Sequence, residues 1–125
     1  MLCGATIAQG GGAAAEPSSI KPLSVKLPLT DIVRAGDNLV AIGSRGVILR
    51  SSDGLQWEQA PTPVNRMLTS VHFVNSSSGW AVGHDESILH TRDAGQSWIL
   101  QHFKSSDAPL LDVFFVDEYR GLAVG

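Results

Sequence analysis

The chain has 125 residues, 43% of them hydrophobic and 17% charged, with 13 Gly, 6 Pro and one Cys, a size that allows one apolar core. Its net charge of −3, with nine Lys and Arg scattered from Lys21 to Arg120, argues against nucleic acid or an anionic membrane surface as partner, since both reward clustered cations. Cys3 alone can form neither an internal disulfide nor a cysteine-built zinc site, and the longest apolar runs, Leu39–Ile42 and Val113–Val116, fall far short of the roughly 20 residues of a membrane-spanning helix.

Residues 1–19 carry four of the glycines, no basic residue and one acid, Glu16, without a hydrophobic period. Ala13-Ala14-Ala15 before Glu16-Pro17 satisfies the small-x-small rule of signal-peptidase sites, so this segment reads as a signal-peptide remnant or disordered leader. Residues 20–28 alternate Leu23, Val25 and Leu27 and read as an extra strand or a linker. After that, the chain repeats. Leu68–Gly83 and Leu110–Gly125 match without gaps at eight of 16 positions, at an offset of 42. An earlier copy lies 40 residues upstream, where Ala41-Ile42-Gly43 aligns with Ala81-Val82-Gly83, Ile48-Leu49 with Ile88-Leu89, and Asp53 with Asp93.

Each copy reads as four short strands. In the second they are Thr69–Val74, Trp80–Gly83, Ser87–Thr91 and Ser97–Gln101, separated by Gly, Asn, Ser and Asp. Four strands per 40-residue repeat is the spacing of a β-propeller blade, whereas a β-sandwich does not require sequence repetition. The expected fold is all-β, a propeller of four-stranded antiparallel blades: blade one at 29–66, blade two at 67–109 and a truncated blade three at 110–125. About four blades are needed to close a ring. With about two and a half, the chain reads as an N-terminal fragment that cannot close a ring alone.

Thr91-Arg92-Asp93-Ala94-Gly95-Gln96-Ser97-Trp98 fits the Asp-box pattern Ser/Thr-x-Asp-x-Gly-x-Ser/Thr-Trp at every specified position. Ser51-Ser52-Asp53-Gly54-Leu55-Gln56-Trp57 is a version one residue shorter, without a hydroxyl residue before its Trp. In such a turn the Asp accepts backbone N–H groups, Gly supplies a positive φ and Trp buries a large ring. Ser51, Asp53, Gly54, Trp57, Thr91, Asp93, Gly95, Ser97 and Trp98 are therefore expected to be structural. One carboxylate per turn is too few ligands for calcium.

Asp boxes alternating with Gly-x-Ala-Val-Gly strands resemble the photosystem II stability/assembly factor family of Asp-box propellers. The residues that carry the resemblance are Gly79-Trp80-Ala81-Val82-Gly83, the box from Ile88 to Trp98, and Gly43-Ser44-Arg45-Gly46-Val47-Ile48-Leu49. His84-Asp85-Glu86-Ser87 departs from it by lacking the turn glycine found at Gly46. The resemblance implies a seven-bladed, non-enzymatic protein exported to a periplasmic or thylakoid-lumen-like compartment. There it would assist the assembly or stability of membrane-protein complexes, with no cofactor.

Asp boxes also occur in sialidase-like glycoside hydrolases, the alternative reading. Glycosidases need two carboxyl groups flanking the scissile bond. Here Asp31 and Asp112 occupy near-equivalent positions in first strands and read as a solvated strand end or outward face, while Asp85-Glu86 and Asp117-Glu118 fall in turns. No Arg-Ile-Pro segment or arginine cluster accompanies them. His72, His84, His90 and His102 offer no convincing ligand pair, so no metal is expected. The expected contact residues for a protein partner are the turn side chains Arg34, Arg45, Arg66 and Arg120, with the loop 60–67.

Overall fold

The computed structural model describes residues 27–125; the leader at 1–19 and the segment 20–26 lie outside the described residues. The described residues form ten strands in three antiparallel sheets. The first sheet runs β1 (Leu29–Ala35), β2 (Asn38–Gly43), β3 (Ile48–Ser51) and β4 (Glu58–Gln59), in that spatial order. The second runs β5 (Leu68–Phe73), β6 (Gly79–Gly83), β7 (Ile88–Thr91) and β8 (Ile99–His102). The last pairs β9 (Asp112–Phe115) with β10 (Gly121–Val124). These are consecutive blades of an all-β propeller, two four-stranded and one two-stranded. β8 starts two residues later than the pattern predicts, because Ser97 and Trp98 are held in the preceding turn by Asp93 and Gly95.

The second strands of blades one and two read as nearly continuous apolar sequence because both of their faces are covered. From β2, Val40 and Ile42 pack with Ile48, Leu68, Val71, Ala81, Leu89 and Trp98 into the core between blades one and two. Ala41 faces the other way, with Val47, Leu49 and Trp57. β6 repeats the arrangement: Ala81 joins the first core, while Trp80 and Val82 pack with Val113 toward blade three. Full burial of each such Leu, Ile or Val contributes about 1.5–3 kcal/mol, so this two-sided strand is the spine of a blade.

The Ala-Val-Gly ending of that strand has a steric cause. A Cβ placed on Gly43, Gly83 or Gly125 would lie 2.2, 2.1 or 2.0 Å from the carbonyl oxygen of Pro28, Met67 or Pro109. The chain approaching each first strand thus lies directly on the end of the second strand of the same blade. The same carbonyls accept the next N–H groups, Ser44 N to Pro28 O at 3.0 Å and His84 N to Met67 O at 2.9 Å.

First strands of successive blades lie side by side and are fastened by side chains to the neighbour's backbone. Thr30 Oγ1 donates to Leu68 O at 2.6 Å, and Thr69 Oγ1 donates to Leu110 O at its own blade boundary. Asp31 Oδ2 accepts Val71 N at 3.0 Å, and Ser70 Oγ donates to Asp112 Oδ1 at 2.8 Å. Asp31 and Asp112 are therefore blade fasteners, where the strand pattern suggested solvated carboxylates. A single sequence cannot show that a neighbouring blade supplies the donor.

Candidate functional site

Both Asp boxes fold around a carboxylate and a hydroxyl. In the longer box Asp93 Oδ1 accepts Ser97 N at 2.9 Å and Thr91 Oγ1 at 2.8 Å, and its Oδ2 accepts the Ser97 hydroxyl. Thr91 Oγ1 accepts Gly95 N at 3.0 Å, and Trp98 Nε1 closes the turn on Gly95 O at 3.0 Å. In the shorter box Asp53 Oδ1 accepts Leu55 N at 2.8 Å and Gln56 N at 2.9 Å, while Ser51 Oγ accepts Gly54 N at 2.8 Å. Gly54 and Gly95 sit at φ of +77 and +86, conformations that residues with a Cβ adopt only at a cost.

These bonds set the charge states. Asp53 is held below the usual carboxylate range by the N–H groups of Gln56 and Leu55. Burial opposes ionisation of Asp93, but the Ser97 hydroxyl and N–H and the Thr91 hydroxyl outweigh it, so its pKa also falls. Both carboxylates are ionised acceptors committed to their own turns.

Matching the boxes through these bonds places the missing residue of the first one at Ala94. Ala94 takes a φ of +62, which turns both of its backbone groups outward. Its N–H donates to Ser77 O at 3.0 Å, and its carbonyl accepts Arg50 Nε of blade one at 2.9 Å. The extra residue therefore ties the box both to its own blade and to the preceding one. Gln56, not a hydroxyl residue, stands at the position of Ser97.

In an up-and-down sheet, hairpins alternate between the two ends of the strands. The Asp boxes share one end with the β1–β2, β5–β6 and β9–β10 turns; the other end carries the β2–β3 and β6–β7 turns and the inter-blade loops. The four arginines divide between them. Arg34, in β1 beside its turn, and Arg120 lie at the Asp-box end, with Arg120 doubly bonded to Asp117 at 3.0 and 2.8 Å. Arg45, at a φ of +58 in a short 3-10 turn (Ser44–Gly46), and Arg66 lie at the opposite end. The two pairs therefore do not form one surface.

At that second end Asp85 is a node. Its carboxylate binds Arg66 from the loop before blade two and Ser106 N, at 3.2 Å, from the loop after it, and the Arg66 contact is the main cause of its lowered pKa. Lys104 N donates to Asp85 O at 3.0 Å. Asp85 and Glu86 both hold positive φ, 56 and 52, so this turn adopts without glycine the left-handed conformation that blade one places at Arg45 and Gly46. Such backbone costs on the order of 1–2 kcal/mol per residue, offset here by the bonds to both loops. Glu86 adds His102 at 3.4 Å and Ser106 Oγ at 3.4 Å.

Two of the histidines, His72 and His90, serve packing. His72 Nε2 reaches Phe115 O of blade three at 3.1 Å, and its ring tilts against Phe114. His90 lies buried within β7, parallel to Trp80 at 4.5 Å, and Trp80 stacks on Phe115 at 3.6 Å. Burial lowers the His90 pKa, with the Arg92 charge acting in the same direction. Among the described residues no group of three or more His, Cys, Asp and Glu converges as a metal site would require, and no helix is long and apolar enough to cross a membrane.

Comparison with known proteins places this architecture. The family described as Photosynthesis system II assembly factor YCF48 matches residues 49–117, more than half of the chain, from β3 through the β9 strand. The Photosystem II assembly protein Ycf48 of Thermosynechococcus vestitus (strain NIES-2133 / IAM M-273 / BP-1) is 27% identical over 59 residues, which cover 47% of this chain and 17% of that protein. A solved structure described as YCF48 bound to D1 peptide superposes with a TM-score of 0.58 at 23% identity, over 70% of this chain and 30% of that one. The chain thus spans less than a third of the length of either relative. By its repeat, its boxes and this match, the chain belongs to the photosystem II assembly factor YCF48 family.

Proposed function

We propose that the chain forms part of a non-catalytic propeller scaffold that holds a peptide segment of a membrane-protein complex, photosystem II or a counterpart of it, during assembly. The family match over residues 49–117 carries this reading. It is supported by a relative whose structure is described as bound to D1 peptide and by the use of the carboxylates. Asp31, Asp53, Asp93 and Asp112 are all engaged in turn or blade-fastening bonds, which leaves a glycosidase no free facing pair among them. The small-residue run Ala13–Ala15 supports export to a periplasmic or thylakoid-lumen-like compartment. Contacts to the partner fall to the exposed turn arginines, with Arg45 and Arg66 beside the loop 60–67 forming one end and Arg34 and Arg120 the other.

The test is capture by the full-length protein. Immobilised on beads, it should retain a membrane-protein subunit from detergent-solubilised host membranes, and a synthetic D1 peptide should compete. Arg45→Glu combined with Arg66→Glu should reduce retention by roughly tenfold if that end is the contact surface. Absence of any membrane-protein partner, together with turnover of a fluorogenic sialoside, would overturn the scaffold reading.

A further inference from the structure

Three turns close on a side-chain oxygen in the same pattern, each accepting the N–H groups two and three residues ahead. Asp53 Oδ1 takes Leu55 N at 2.8 Å and Gln56 N at 2.9 Å. Asn75 Oδ1 takes Ser77 N at 2.9 Å and Ser78 N at 2.7 Å, and Asp117 Oδ1 takes Tyr119 N and Arg120 N, both at 2.8 Å. A pair of donors on a carbonyl oxygen polarises its carbon and stabilises the oxyanion that forms when a nucleophile adds there. The nearest nucleophile in such a turn is the backbone nitrogen of the following residue.

The three turns differ in what that attack would meet. Asp53 and Asp117 present ionised carboxylates, which are poor electrophiles, and Gly54 N is already committed to Ser51 Oγ at 2.8 Å. Asn75 presents a neutral amide with ammonia as its leaving group. Both Asn75 and Ser76 are exposed, and Ser76 N makes no hydrogen bond to the described residues. The other described asparagines precede bulky residues, Asn38 before Leu39 and Asn65 before Arg66, which crowd such an attack.

We propose that Asn75-Ser76 is a self-modification site at the joint between blades two and three. Ser76 N loses its proton to water and bonds to Asn75 Cγ, while the Ser77 and Ser78 N–H groups hold the oxyanion. The Cγ–Nδ2 bond then breaks, ammonia departs with a proton from water, and a succinimide remains. Water opens that ring to aspartate or isoaspartate. Either product puts a carboxylate where Asn75 Nδ2 now donates to Glu118 Oε1 at 3.4 Å, beside the Ser78 Oγ bond of 2.9 Å to the same oxygen. A donor to blade three thereby becomes a like charge. The isoaspartate product also lengthens the backbone of a turn whose Ser77 carbonyl accepts Ala94 N of the Asp box. The amide thus acts as a clock on the joint: intact, it holds the two blade turns together, and with age it drives them apart.

The test is mass-spectrometric peptide mapping of the full-length protein, held folded at mildly alkaline pH. Trypsin releases residues 67–92, in which Asn75 is the sole Asn, and the free synthetic peptide 67–92 is aged in parallel. Asn75 should convert at least as fast in the folded protein as in the free peptide, and roughly tenfold faster than Asn38 or Asn65. Ser76→Thr, whose branched side chain crowds the attacking nitrogen, should slow conversion by roughly threefold or more. Asn75→Asp keeps the turn, as Asp117 does in blade three, and should lower the unfolding midpoint at neutral pH. Adding Glu118→Gln should recover most of that loss. Conversion slower in the folded protein than in the peptide, or no faster than at Asn38, would overturn the site. Equal midpoints for Asn75→Asp and the unaltered protein would overturn its effect on the joint. Should Asn75→Asp fail to fold, mapping of the unaltered protein still decides the site, and the midpoint of aged against fresh protein decides the effect.

Discussion

The two Asp boxes share one design at different lengths. Each hangs its turn on a carboxylate at the third position and a hydroxyl two residues earlier, through bonds of 2.8–3.0 Å to the same relative N–H groups. The longer box adds Ala94, and that single residue contributes the bonds that leave the turn, to Ser77 and to Arg50. Closure of the turn and attachment of the blade are therefore separable: the shorter box at Asp53 closes without the outward-facing pair of groups. The added residue converts a local hairpin into an inter-blade joint.

Removing the ring that closes the longer box should have the largest effect. Trp98→Ala should cost about 3–5 kcal/mol in urea unfolding, because the ring fills the core between blades one and two. Trp57→Ala should fall at the low end of that range, since Trp57 packs in a smaller cluster on the outer side of blade one. Equal losses would mean that the two boxes are equivalent after all. Asp93→Ala comes next, at about 2 kcal/mol for a partly buried charged acceptor whose donors are left unmatched. Asp53→Ala, whose carboxylate is exposed, should cost visibly less in the same titration.

Deleting Ala94 turns the long box into the short one. It should cost about 1–2 kcal/mol, the value of two hydrogen bonds, and Arg50→Met should then add little. Full additivity of the two changes would show that the Arg50 contact is not made through Ala94. The smallest effect separates the blades by pH. His90 titrates below its ordinary value of 6.5, so the unfolded chain binds the proton first and stability falls as pH drops below 6.5. Blade one has Arg50 at that place and no such step. The box carboxylates act lower: their contribution is complete above the ordinary 3.8 and is lost as pH falls through their depressed folded values. His90→Arg should remove the upper step of a stability-against-pH curve and leave the lower one.

The repeat, the order of strands and the two boxes were legible because they rest on local patterning: apolar strands, turn residues and a spaced motif within ten residues. The roles of Asp31, Asp112 and Arg50 were not, because each is decided by a group some 40 residues away that approaches only when two blades pack. His90 could be placed near a hairpin, but its burial follows from Trp80 stacking on Phe115, a contact between repeats. The gap in the first box was visible as a missing residue. That the gap falls at Ala94 became clear only from the bonds, since sequence alone leaves it open which side of Gly54 is short. The four turn arginines were legible as exposed cations, and their division between opposite ends follows from hairpin alternation, a property of the sheet and not of any residue.

The hydroxyl fasteners at Thr30 and Thr69 join the same place in one repeat to the same place in the next, each bonding the backbone at the start of the following first strand. Their acceptor is a carbonyl, which every residue possesses. A blade copied by tandem duplication would therefore meet its neighbour with donor and acceptor already matched. A ring built this way can gain or lose units in evolution without inventing a new joint, while its exposed turns remain free to diverge toward different partners.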